Sequence, residues 1–151
     1  MEKQKKENRY KRLYLQINEL LKKCNDETAR MATISAVLYN KMDHFFWCGF
    51  YRIIDYELIV GPYQGPLACQ ILPKDKGVCW ASVNQKKTII VSDVEKFPNH
   101  IACDSRSKSE IVIPLKNKIG KVFAVFDVDS NELNSFDETD AKYLENILNL
   151  L

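Results

Sequence analysis

The chain lacks most of the features that identify a function directly. No apolar run approaches the ~20 residues a bilayer span needs, so no membrane segment is expected. The opening "MEKQKKENRYKRLYLQ" is basic but has no apolar core, and Glu2 and Glu7 interrupt it. It reads as a solvated, charged, amphipathic lead-in helix over residues 1–24, not as a secretory or mitochondrial leader. Histidine is scarce: His44 and His100 stand alone. None of the five cysteines has CxxC spacing, so no closed zinc site and no other metal centre is expected. Phosphate-cradling glycine loops, dinucleotide fingerprints and HExxH are missing, as are repeats and low-complexity tracts. Charge of one sign is lacking too, with 22 basic against 20 acidic residues. Basic residues cluster at 3–12 and 116–121 without an interleaved aromatic platform, so no nucleic-acid partner is expected.

What is present suits a single globular domain: 151 residues, 46% hydrophobic and 28% charged. Leu13, Ile17, Leu20, Leu21 and Cys24 recur at helical spacing, and Asp26 is placed to cap a second helix carrying Met31, Ile34, Leu38 and Met42 on one stripe. "HFFWCGFYRI" and "YELIVGPY" predict two strands joined by a tight turn at Ile54–Asp55. "ACQILP" predicts a short strand, "GVCWASVNQKK" a short helix opened by Gly77, and "TIIVS" a further strand. After the long loop "DVEKFPNHIACDSRSK" come the strands "SEIVIPL" and "KVFAVFDVD", then a terminal helix capped by Asp137. This order predicts an α+β domain whose mainly antiparallel sheet carries helices on one face.

Chemistry concentrates at element boundaries. Cys24 and Cys48 read as small core hydrophobes, the first ending a helical stripe, the second inside an aromatic strand. Cys69, Cys79 and Cys103 instead lie beside glycine, proline, aspartate or lysine. Cys103 is the leading nucleophile candidate, because His100, Arg106 and Lys108 are close in sequence and a cationic neighbour favours thiolate. Asp127 and Asp129 share one sheet face by period-two alternation, and Glu110 opens the neighbouring predicted strand. Acids gathered there suit an ammonium group, although carboxylates at strand ends also serve as turn-formers. Trp47 and Tyr51, four apart on one strand, share a face that reads as core packing or as the wall of a small-ligand pocket.

"WCGFY", "GPYQGPLAC", "KGVC", "FPNHIACDSRSKSEIVIP" and "FDVDS…FDETD", in that order, resemble the free methionine-(R)-sulfoxide reductases. The resemblance runs from about residue 25 to 151 and fills all three of that family's cysteine positions, which generic GAF sensor domains lack. It implies a GAF-like catalytic domain over 25–151, with a central antiparallel sheet flanked by helices. It also implies reduction of free L-methionine-(R)-sulfoxide to methionine, with no bound metal or organic cofactor. By the same resemblance Cys103 is the nucleophile, Cys69 the principal resolving cysteine and Cys79 a third cysteine able to join recycling. Glu110, Asp127 and Asp129 would hold the substrate ammonium and polarise the sulfoxide, and Trp47 and Tyr51 would wall the methyl-sulfur end. Trp80 departs from the family pattern, standing after Cys79 where a small glycine is usual, and Cys48 is an additional thiol. A thioredoxin-like dithiol is the expected external reductant. The odd cysteine count points to a reducing, cytoplasmic setting, and pairing through terminal helices into a homodimer is expected. The competing readings are a non-catalytic GAF ligand-binding module and a thiol redox sensor using the same cysteines.

Overall fold

The computed structural model describes residues 1–151. Two helices, α1 (Lys3–Leu21) and α2 (Glu27–Lys41), precede the hairpin of β1 (Trp47–Ile54) and β2 (Glu57–Gln64). A short strand β3 (Ile71–Leu72), helix α3 (Gly77–Gln85) and strand β4 (Ile89–Val91) follow. The long strands β5 (Ser109–Lys116) and β6 (Val122–Ser130) form a second hairpin, and α4 (Glu138–Leu148) closes the chain. The sheet order is β3-β2-β1-β6-β5-β4, and every neighbouring pair is antiparallel. The first hairpin turns one residue later than expected, at Asp55 and Tyr56, whose φ values of 50° and 67° match the twist that two-residue hairpins prefer.

Alternation sorts the strand residues onto two cores. Cys48, Phe50, Ile111, Ile113, Phe126 and Val128 face α1, α2 and α4. Trp47, Tyr51, Val112 and Val125 face the other way, against Val78, Cys79 and Trp80 of α3. Helices therefore cover both faces, three on one and α3 alone on the other, which corrects the one-sided arrangement expected from element order. The physical reason is visible in β5 and β6: their near-continuous apolar runs need burial on both faces.

The charged lead-in is solvated on its outer side only. Tyr10, Leu13, Ile17 and Leu21 enter the larger core, and Lys6 reaches the Asp140 carboxylate at 2.7 Å in a buried ion pair. Asp140, fully inaccessible, also accepts hydrogen bonds from the Tyr10 hydroxyl at 2.6 Å and the Asp137 amide at 3.0 Å, and lies 2.9 Å from His44 Nε2. Asp26 and Asp137 cap α2 and α4 as expected. Cys24 does not join the core: α1 stops at Leu21, and the thiol lies exposed in the following linker, where Arg30 collects the Leu21 and Cys24 carbonyls.

Candidate active site

Strand register assembles the acids. Trp47 pairs with Asp129, Asp129 with Glu110 and Glu110 with Val91, forming one row across four strands. The next row on the same face is Gly49, Asp127 and Val112. The three carboxylates consequently point to one side, with an oxygen from each lying within 4.8 Å of the others. Burial pushes Glu110 well above the usual carboxylate range, and the Asp127 and Asp129 charges push it further. Burial raises Asp127 to about 7, against the opposing pull of the Cys79 thiol beside it. Asp129 is raised by burial, then by Asp127 and Asp104. Such a group holds at least one proton near neutrality, because three adjacent charges cannot all ionise in a desolvated site. Glu110 Oε2 and Asp127 Oδ1 are buried without a hydrogen-bond partner. The oxygen set could hold a hard cation or an ammonium group; the aromatic wall beside it favours an organic cation.

That wall is thicker than expected. Trp47 stacks on Tyr51 with ring centroids 6.0 Å apart, and on Tyr63, which the sequence did not single out, at 5.3 Å. Tyr63 lies opposite Gly49 on β2, and a Cβ on Gly49 would stand 2.2 Å from the Tyr63 Cβ. The glycine is therefore what admits the third ring. Trp47 Nε1 is buried and unpartnered, like the two carboxylate oxygens.

The cysteines close the mouth. Cys69 and Cys103 form a disulfide with Cα atoms 5.5 Å apart, joining segments 34 residues apart in sequence. Cys103 is exposed and Cys69 half-buried, and the Tyr51 hydroxyl donates to the Cys69 carbonyl at 3.0 Å. Cys79, at the start of α3, is a free, buried thiol lining the same pocket. Burial raises its pKa strongly, with Asp127, Glu110 and Asp129 adding to the effect, so it rests as a thiol. Cys48 lies on the opposite sheet face, its thiol 3.4 Å from the Ser35 carbonyl. Trp80 turns away from the pocket: its indole N–H donates to Leu72 O at 3.3 Å and the Lys74 ammonium sits over its ring.

Of the three cations expected to favour a Cys103 thiolate, Lys108 is exposed and does not line the pocket, and neither of the other two stands free beside the sulfur. Arg106 grips Asp104 through two hydrogen bonds of 3.0 and 2.7 Å while covering the Phe46 ring. Burial lowers the His100 pKa, which favours the neutral imidazole. Phe46, Lys76, Ile101 and Asp104 also line the pocket. They escaped sequence reasoning because only the folded loops bring them to it. All eight residues expected at the site are together in the structure: seven line the pocket, and Cys69 joins through its bond to Cys103.

The arrangement joins a two-electron thiol couple to buried proton donors and an aromatic, cation-accepting pocket. A family model described as GAF domain matches residues 24–151. "GAF domain-containing protein A" of Dictyostelium discoideum is 52% identical over 97% of this chain and 92% of its own length. The free methionine-R-sulfoxide reductase of Escherichia coli K12 is 38% identical over 80% of this chain and 72% of its own. The X-ray structure of free methionine-R-sulfoxide reductase from Neisseria meningitidis, in complex with its substrate, superposes with a TM-score of 0.89 at 40% identity, covering 93% of this chain and 84% of that one. The chain therefore belongs to the free methionine-R-sulfoxide reductase family of GAF domains.

Proposed function

We propose that the protein reduces free L-methionine-(R)-sulfoxide to methionine, with Cys103 as nucleophile. The observation that carries this reading is the Cys69–Cys103 disulfide at the mouth of a pocket floored by Glu110, Asp127 and Asp129. The Cys103 thiolate attacks the sulfoxide sulfur, and a protonated pocket acid donates to the departing oxygen; burial, which raises the pKa of Glu110 and of Asp129, supports that role. The S–O bond breaks and its oxygen passes as hydroxyl to the Cys103 sulfur while the transient bond between the two sulfurs opens, so methionine leaves and Cys103 becomes a sulfenic acid. The Cys69 thiol displaces the hydroxyl as water and closes the disulfide. A thioredoxin-like dithiol then takes the oxidising equivalent by exchange, regenerating both thiols. Cys103 is the more exposed residue of the pair, which supports its sulfur as the one an incoming thiol reaches first. Cys79, buried and held as a thiol, is a secondary participant in recycling.

Trp47 and Tyr51 wall the methyl-sulfur end, and the acids bind the ammonium that peptide-bound methionine sulfoxide lacks. The reducing cytoplasm suits the cycle, since it supplies the dithiol. A homodimer would use the terminal helices, where Leu15 of α1 is 65% exposed. The test is NADPH oxidation with thioredoxin, thioredoxin reductase and free methionine-(R)-sulfoxide. Turnover is expected in the wild type and none in Cys103→Ser; Cys69→Ser should complete one turnover and recycle slowly. Full activity of Cys103→Ser would overturn the nucleophile assignment, and the reaction itself falls if wild-type protein leaves the substrate untouched.

A further inference from the structure

The chain neighbour of Cys103 is a carboxylate. Asp104 lines the same pocket, its side chain is only 20% exposed, and its ion-pair partner is Arg106. Three hydrogen bonds join the two residues. The Arg106 guanidinium donates to both carboxylate oxygens, through Nε at 3.0 Å and Nη2 at 2.7 Å, and the Arg106 amide donates to Oδ1 at 2.9 Å. A two-pronged pair of this kind fixes direction as well as charge. It holds Asp104 down at about 2, so the carboxylate is ionised at neutral pH. The guanidinium also covers Phe46, 5.0 Å from the ring centroid, and the Phe46 amide donates to the Asp129 carbonyl at 2.8 Å. One continuous set of contacts thus runs from the residue after the nucleophile to β6, the strand that carries two of the acids.

Left unpaired, the Asp104 charge would oppose thiolate formation on the neighbouring sulfur once the disulfide is reduced. Its reach into the site is visible at Asp129, whose pKa it helps to raise. We propose that Arg106 is a positioning residue for the nucleophile: it cancels the Asp104 charge beside Cys103 and pins the Cys103 turn to Phe46. This rests on Cys103 being the nucleophile of the reaction proposed above. Arg106 does not line the pocket and acts only through Asp104 and Phe46. The other ionisable groups around Cys103 are Tyr51 of β1, Lys76 and Cys79 at the start of α3, His100 of its own loop, Glu110 of β5, and Asp127 and Asp129 of β6. All of them are retained when residues 104 and 106 are changed, so they set the baseline and not the difference.

The test follows alkylation of Cys103 by iodoacetamide in the fully reduced protein as a function of pH, with mass spectrometry of the Cys103 peptide separating it from the exposed Cys24. Arg106→Gln leaves Asp104 unpaired and should move the alkylation midpoint up by about 0.5–1 pH unit, a roughly 3–10-fold slower reaction at pH 7. Asp104→Asn leaves the guanidinium without its carboxylate and should move the midpoint down. The double variant Asp104→Asn with Arg106→Gln removes both charges and should return to the wild-type profile. A merely structural role predicts the reverse, since the double variant has lost the same contacts as Arg106→Gln and more. A wild-type profile in Arg106→Gln overturns the proposal, and so does a double variant that stays with Arg106→Gln. Single-turnover reduction of free methionine-(R)-sulfoxide by Arg106→Gln should slow by the same factor at pH 7 and recover as pH rises. Alkylation needs no substrate, so a wild type without turnover would sink the activity and leave the role of Arg106 separately decidable.

Discussion

Asp140 offers a sharp test of how the lead-in helix is held. Burial alone would raise its pKa, but His44, Lys6 and Tyr10 outweigh that and bring it from 3.8 to about 2. At ~1.4 kcal/mol per pKa unit, this shift is worth about 2 kcal/mol. Since the folded pKa is depressed, the contribution is complete above the unfolded value of 3.8 and is lost as pH falls through about 2. Asp140→Asn should cost more than this at neutral pH. The amide cannot balance Lys6, itself only 5% exposed, and the next carboxylate is the largely solvated Asp137 at 3.5 Å. Leaving a buried charge so poorly paired costs about 3–5 kcal/mol, or about 6–20 °C in Tm for a domain of this size. Lys6→Met should cost only about 1–2 kcal/mol, because Asp140 keeps Tyr10, His44 and the Asp137 amide. Urea titrations at neutral pH should rank Asp140→Asn well below Lys6→Met, and the gap between wild type and Asp140→Asn should narrow between about pH 4 and pH 2. Equal costs for the two variants, or a loss under ~1 kcal/mol for Asp140→Asn, would refute the reasoning.

Asp127, raised to about 7, obeys the opposite sign: the folded protein holds its proton more tightly, so stability falls as pH rises from 3.8 through about 7. Asp127→Asn should therefore gain Tm over wild type at pH 8 and not at pH 4, while binding the substrate ammonium more weakly; thermal melts at both values check this. Tyr51→Phe removes the hydrogen bond to the Cys69 carbonyl, worth about 0.5–1.5 kcal/mol. It should slow disulfide closure roughly 2–10-fold in rapid-quench thiol counting, measured at saturating substrate. Gly77→Ala forces a side chain into φ +81° and against Ile101, which should lower stability by about 1–2 kcal/mol in urea titration.

Much of the site was legible because its residues sit at period-two positions in strands, where alternation alone settles the face. Asp127 with Asp129, and Trp47 with Tyr51, are of this kind, and Cys48 between the aromatics is turned to the opposite core for the same reason. Helix caps were legible at Asp26 and Asp137, since capping is local chemistry. Cys24 was misread because helical spacing continued past the point where Arg30 draws the chain out of α1. Tyr63 was missed because its role depends on the close approach of β2 to Gly49, a cross-strand fact.

The cations around Cys103 show the limit most clearly. Sequence proximity offered Arg106 and His100 as thiolate partners; in the fold Arg106 is bound to Asp104 and His100 is half-buried with a lowered pKa. Composition, periodicity and ordered motifs were sufficient, by themselves, for the element order and the sheet-facing residues, and they set Cys69, Cys79 and Cys103 apart at element boundaries, because each is a property of short stretches of chain. Tertiary structure alone decided that α3 crosses to the second face and that three acids in two adjacent rows of one sheet face are desolvated together, and it supplied the contact across 34 residues between Cys69 and Cys103 that the family resemblance implied. Those outcomes depend on strand pairing and burial, which bring together atoms that no local pattern relates.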